Sequence, residues 1–307
     1  MTLSCIDREV IASPRDLGGF AVERALPAPV RTMVGPFIFL DHLGPTTFPP
    51  GGGVDVRPHP HIGLSTLTYL FAGEIIHRDS LGFTQAIRPG ELNWMTAGSG
   101  VTHSERTDPE RRARGAPAHG MQAWAALPAE AEDCAPSFSH HDAQDLATYE
   151  GEGLWARLVA GQAFGAKAAV PTHSPLFFVH WRLQPGARAQ VDGAHTERAA
   201  FIAAGAIEAD GRVFGSGRLL ILTPGRSAVF TGVAPAEIIL FGGESVGPRH
   251  VWWNFVSSSK DRIAAAKADW RAGKMALPPE DNLERIPLPD DAPPTPAVHR
   301  ADGVPEG

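Results

Sequence analysis

Residues 57–61 read Arg-Pro-His-Pro-His, and residues 101–105 read Val-Thr-His-Ser-Glu. In an extended chain, residues two apart point to one side. Each segment can therefore present two donors together: the imidazoles of His59 and His61 from one, the imidazole of His103 and the carboxylate of Glu105 from the other. Three imidazoles and a carboxylate suit a borderline divalent ion such as iron, manganese, nickel, cobalt, copper or zinc. An octahedral ion held this way keeps two positions for water or substrate. A closed structural zinc site would use thiolates, and Cys5 and Cys134, the only two cysteines, lie near neither segment. A His-X-His pair alone is commonly a solvated loop. The second pair, on a second predicted strand, is what tips the reading toward a metal.

The elements that must position these donors read as strands. Leu64–Phe71 is rich in β formers and runs into Ala72-Gly73. Glu74–Arg78, Thr84–Ile87 and Leu92–Thr96 follow at close spacing, separated by Gly and Pro turns. That rhythm predicts a sandwich or small barrel. Pro58 and Pro60 remove amide donors, which places the first ligand segment at a sheet edge or strand entrance. Residues 106–120 are expected as an exposed charged loop, and residues 129–146 as a connection between two halves.

The second half repeats the style of the first. Strand-Ala-Gly followed by strand-Pro-Gly occurs at Ala72-Gly73 and Pro89-Gly90, and again at Ala204-Gly205 and Pro224-Gly225. The repeat suggests a duplicated β unit. One helix is expected late in the chain, capped by Ser257–Ser259, with Ile263, Ala266 and Trp270 on one face and Gly273 at its end. Residues 277–307 carry eight prolines and should be an extended tail, partly docked at most.

Composition excludes several classes. With 307 residues, 43% of them hydrophobic, the chain has material for a core, or about two domains. The 33 glycines and 28 prolines are too many for a helical bundle. A net charge of −7, with Arg111, Arg112 and Arg114 as the one short basic cluster, argues against direct nucleic-acid binding. No apolar run is long enough for a membrane helix, and the N-terminus has no signal-peptide h-region. A cytoplasmic location is the expectation.

The remaining histidines read as structural. His140-His141 is expected to face solvent, and His77, His119, His173, His180, His195, His250 and His299 lack ligand-like spacing. His42, after Asp41, could orient a ligand or merely satisfy a turn.

The stretches HPHIGLSTLTYLFAGEIIHRDSLG and IRPGELNWMTAGSGVTHSE resemble the pirin family of the cupin superfamily. FIFLDHLGP at 37–45, MQAWAALP at 121–128, LFGGESVG at 240–247 and VWWNFV at 251–256 extend the resemblance over most of residues 15–275. The resemblance implies an all-β bicupin: two double-stranded β-helix barrels of jelly-roll type, with a short C-terminal helix. It gives an N-terminal metal-binding barrel at 1–128, a linker at 129–146, a metal-free barrel at 147–256, and helix plus tail at 257–307. The family's ligands carry over to His59, His61, His103 and Glu105, for one ion, iron(II) first and nickel, manganese, cobalt, copper or zinc otherwise. Counting from the repeated glycines, the second barrel should have Val191, Gly193, Ile238 and Leu240 where the first has its ligands.

The sequence departs from many pirins at Ser65, where a Glu is usual, and at Ile62, where an Arg is. The resemblance implies a metal-dependent flavonol dioxygenase of the quercetin 2,3-dioxygenase type, an oxidoreductase with Glu105 as general base. Phe39, Phe71 and Trp94 are aromatic candidates for the substrate wall by composition alone. Two alternatives use the same ligands. One is a non-enzymatic redox- or metal-sensing regulator that binds a transcription factor or a metabolic enzyme; the other is turnover of a different aromatic enol.

Overall fold

The computed structural model describes residues 4–289. Strands dominate, joined by turns in which glycines take positive φ, as Gly73 (93°) and Gly90 (82°) do at the corners read from the repeat. The chain forms two compact units. One comprises Pro14–Val22, Leu40–Ala143 and residues 247–289; the other comprises residues 4–13, Glu23–Phe39 and Gln144–Val246. Among the described residues no helix is long and apolar enough to cross a membrane.

The first unit carries the candidate ligands on its smaller sheet. This sheet has four strands in the order Asp55–His61, Val101–Arg106, Ile75–Asp79 and Thr84–Ile87. The proline-bearing strand is its edge, where missing amide donors cost no ladder bonds. The larger sheet begins in the order Ser137–His141, Leu92–Thr96, Leu64–Ala72 and Pro117–Ala126. Across its centre Thr66 pairs with Trp124 and Thr68 with Gln122. Alternation puts these four side chains on one face of the sheet.

The second unit repeats this wiring. Its smaller sheet runs Arg188–Val191, Ala228–Gly232, Ala206–Ala209 and Arg212–Gly215, and its larger sheet begins Ile6–Ile11, Arg218–Leu222, Glu197–Ala204 and Ala236–Gly243. Corresponding strands hold corresponding places in both units, as a duplicated barrel requires. The units nevertheless interleave in sequence. Leu92–Thr96 is flanked by Ser137–His141, from the stretch expected to be a linker, whereas its counterpart Arg218–Leu222 is flanked by the N-terminal strand Ile6–Ile11. Both additions cover what would be an open sheet edge, and neither is a strongly apolar run that announces itself.

Residues 106–120 hold more structure than a loop. Asp108 accepts hydrogen bonds from the amides of Glu110 and Arg111 and caps a short helix, Pro109–Arg114. Its arginines are paired, Arg111 with Glu74, Arg112 with Asp55 and Arg114 with Glu110. The late helix runs Lys260–Arg271, capped by the Ser259 side chain, and buries Ile263, Ala266 and Trp270 as its spacing predicts. These residues pack with Ile62, Phe255 and Leu288. The described part of the tail is docked at points: Ile286 donates its amide to the Pro58 carbonyl at 2.8 Å, and Leu288 is buried while Leu283 is exposed. Arg106 also reaches Asp281 and Glu284 at 2.6 and 2.9 Å. Residues 290–307, the rest of the predicted tail, and His299 with them, lie outside the described residues.

Candidate metal centre

His59 and His61 share one face of the edge strand, and His103 lies on its antiparallel neighbour directly opposite His59. One ring nitrogen from each of the three converges within 4.8 Å of the others. Nε2 of His61 and Nε2 of His103 are 3.1 Å apart, and the His59 ring centroid is 4.9 Å from that of His61 and 4.4 Å from that of His103. All three side chains are buried.

Outer partners fix which nitrogens face inward. His59 donates from Nδ1 to the Arg57 carbonyl at 2.9 Å, leaving its Nε2 lone pair free. His77 donates from Nε2 to Asp79 Oδ2 at 2.9 Å, so its Nδ1 must be the acceptor that faces His103 Nδ1 at 3.4 Å. Asp79 is itself held by the amides of Leu81 and Phe83. The chain Asp79–His77–His103 thus turns the His103 Nε2 lone pair inward, the arrangement by which carboxylates and second imidazoles orient metal-bound histidines.

Burial also keeps these imidazoles neutral. It pushes the pKa of His59 down to about 4 and those of His61 and His103 well below the usual histidine value, reinforced by the neighbouring imidazoles. Lone pairs crowded together in a dry site are unfavourable without a cation between them. The donor set therefore fits a divalent transition ion.

Glu105 is placed differently from the three histidines. It follows a register shift after His103, pairs across the sheet with His77, and lies outside the 4.8 Å group. Its Oε1 accepts from the Thr68 hydroxyl at 3.1 Å, and that hydroxyl also contacts the Gln122 amide at 2.8 Å. Burial raises the pKa of Glu105, opposed by His77 and by the Thr68 and Gln122 hydrogen bonds.

Several sequence expectations change here. His77, read as structural, abuts His103; the His77-X-Asp79 spacing was the available signal. The aromatic rings beside the imidazoles are Trp124, 5.1 Å from His61, and Phe138, stacked on His77 at 4.4 Å. Phe39, Phe71 and Trp94 make other contacts: Phe39 lies under Arg24, Phe71 is 4.5 Å from His119, and Trp94 is buried. His42 and His119 face each other at 2.9 Å between Nε2 atoms, a buried pair. His140 is half-buried on the strand Ser137–His141, donating from Nδ1 to Asn93 Oδ1 at 2.7 Å, with Glu91 and Asp142 nearby. Ser65 bonds Thr96 at 2.9 Å, and Ile62 packs in the helix cluster, so both departures serve packing.

Among its described residues the second unit has no such constellation. Val191 and Ala228 face each other there as His59 and His103 do in the first, and with Phe230 they belong to an apolar core. Ile238 and Leu240, expected at the other ligand positions, lie instead on a strand of the larger sheet. The ungapped count misplaced them because Gly225 follows the strand Arg218–Leu222, whereas Gly90 precedes its counterpart Leu92–Thr96, so the two glycines are not equivalent positions.

Comparison with known proteins accords with this geometry. Residues 19–125 match the family model Pirin, and residues 178–276 match the Pirin C-terminal cupin domain. A Pirin-like protein of Caulobacter vibrioides is 56% identical over 93% of this chain and all of its own length. A Pseudomonas aeruginosa protein named provisionally as a quercetin 2,3-dioxygenase is 40% identical over 91% of this chain and 87% of its own. A crystal structure of a quercetin 2,3-dioxygenase from Acinetobacter baumannii superposes with a TM-score of 0.88 at 30% identity, covering 95% of this chain and 98% of that one.

Proposed function

The chain belongs to the pirin family, and on that premise we propose that it is a metal-dependent dioxygenase of flavonols, opening the central ring of quercetin-type substrates. The observation that carries this reading is the convergence of three buried, neutral imidazoles beside a buried carboxylate and two aromatic rings. The similarity to proteins named as quercetin 2,3-dioxygenases supplies the substrate class.

His59, His61 and His103 would hold the ion, with Glu105 two residues further along the same strand as His103. A divalent ion there, iron(II) first and nickel, manganese, cobalt, copper or zinc otherwise, would supply Lewis acidity toward the 3-hydroxyl, and a redox-active one would also supply a partner for dioxygen. Glu105 accepts the 3-hydroxyl proton; its raised pKa makes it a stronger base than an exposed carboxylate. The Thr68 hydroxyl bonds Oε1 and holds the Glu105 carboxylate in place. Trp124 and Phe138 offer flat apolar surface to a planar substrate and keep water from the reacting atoms. Overall, both atoms of dioxygen enter the substrate and one ring carbon leaves as carbon monoxide, yielding a depside.

Purified protein loaded separately with each of these metals and mixed with quercetin tests the reading. Loss of the flavonol absorbance with stoichiometric carbon monoxide is the expected result. No turnover with any metal would overturn the enzymatic reading and favour the regulatory one.

A further inference from the structure

We infer that the mouth of the second, metal-free barrel is a binding site for a small aromatic carboxylate, with Arg198 as its anion-binding residue. This unit contains a cleft of about 700 Å³, within the range of small-molecule sites. Val191, the counterpart of His59, lines it, so the cleft opens over the place where the first barrel gathers its imidazoles.

Arg198 forms the base. On the strand Glu197–Ala204, Ala200 and Ile202 belong to the apolar core, and Arg198, two residues earlier, faces the same way. Its side chain is 1% exposed. Nη1 donates to the Asp192 carbonyl and Nη2 to the Thr223 carbonyl, the latter at 2.7 Å. Nε is buried and has no hydrogen-bond partner among the described residues. No carboxylate among them forms an ion pair with this guanidinium. A buried cation with a free donor is costly, and burial does lower its pKa, opposed by the nearby Asp192 charge. An anion entering the cleft beside the guanidinium offsets its uncompensated charge.

The rest of the lining sets the kind of anion. The two acidic groups present are engaged: Asp192 accepts from the Ala194 amide, and Glu244 from the Thr196 amide and hydroxyl. Lys167, exposed on the rim, makes no ion pair among the described residues. Phe177, stacked with His195 at 4.7 Å, and Phe164, 48% exposed, give the walls aromatic surface. Positive charge at base and rim with flat apolar walls matches a carboxylate on a planar ring.

Calorimetric titration of the full-length protein with sodium benzoate tests the site, in the metal-loaded parent and in a His59→Ala background that removes the metal as a competing carboxylate acceptor. The inference predicts saturable one-to-one binding in both, at least about tenfold weaker for uncharged benzyl alcohol, as loss of a charge-assisted bond implies. Arg198→Met should abolish binding, and Lys167→Glu, on the exposed rim, should weaken it several-fold. No saturable heat up to roughly 10 mM, equal binding of benzyl alcohol, or undiminished binding by Arg198→Met would overturn it. Should Arg198→Met fail to fold, unchanged affinity in Lys167→Glu together with equal benzyl alcohol binding does the same. Binding that disappears only in the His59→Ala background would assign the benzoate to the metal and also overturn the inference.

Discussion

His77 and His103 meet through their Nδ1 atoms at 3.4 Å, and with the Nε2 proton of His77 given to Asp79, His77 Nδ1 accepts from His103 Nδ1, which turns His103 Nε2 to the interior. The relationship makes His77 a positioning residue for the ion rather than a bystander. Its replacement by Ala should weaken metal affinity by about ten- to a hundredfold, the usual cost of removing such a partner. Competition with a chromophoric chelator measures this. Unaltered affinity in a folded His77→Ala protein would show that the contact has no orienting role.

Glu105→Gln separates the carboxylate's two assigned roles. With Glu105 outside the tight imidazole group, the variant should keep most of its metal while quercetin turnover falls by about a hundred- to ten-thousandfold, as removal of a general base does. Elemental analysis and steady-state kinetics on one preparation report both. Loss of the ion from Glu105→Gln would make the carboxylate a ligand first.

Stability should fall on mild acidification through the His42–His119 pair. Burial lowers both pKa values to about 4, in His119 with help from His42. Below the unfolded value of 6.5, the unfolded chain binds protons that the folded one refuses. The contribution is therefore complete above pH 6.5 and is lost as pH falls toward 4, by roughly 1.4 kcal/mol per pH unit for each imidazole. Urea midpoints between pH 7 and 4.5 check the direction, and His42→Phe should flatten the dependence.

Phe230→Ala probes the claim that the second barrel uses packing where the first uses ligands. Phe230 is 0% exposed within an apolar cluster. Truncation should cost about 3–5 kcal/mol, read by denaturant unfolding, with metal content unchanged.

The sequence made the candidate ligand strands legible because their signals are local: alternate histidines between prolines, then a histidine and a glutamate following a glycine turn. The late helix was legible for the same reason, through its serine cap and the period of Ile263, Ala266 and Trp270. The parts that stayed hidden depend on distant pairing. Nothing local in Ile6–Ile11 says that it closes the sheet at Arg218–Leu222. Trp124 carries no local signal of its place, which register alone gives it opposite Thr66 and beside His61. His77 likewise acquires its role only when its strand pairs with that of His103.

Metal content tests the central claim most directly. Elemental analysis of the purified parent, His59→Ala and His103→Ala proteins, each reconstituted under the same conditions and shown to be folded, should give about one transition ion per chain for the parent and almost none for either variant. Equal metal in all three would contradict the assignment of the ion to the imidazole cluster, and with it the function built upon that cluster.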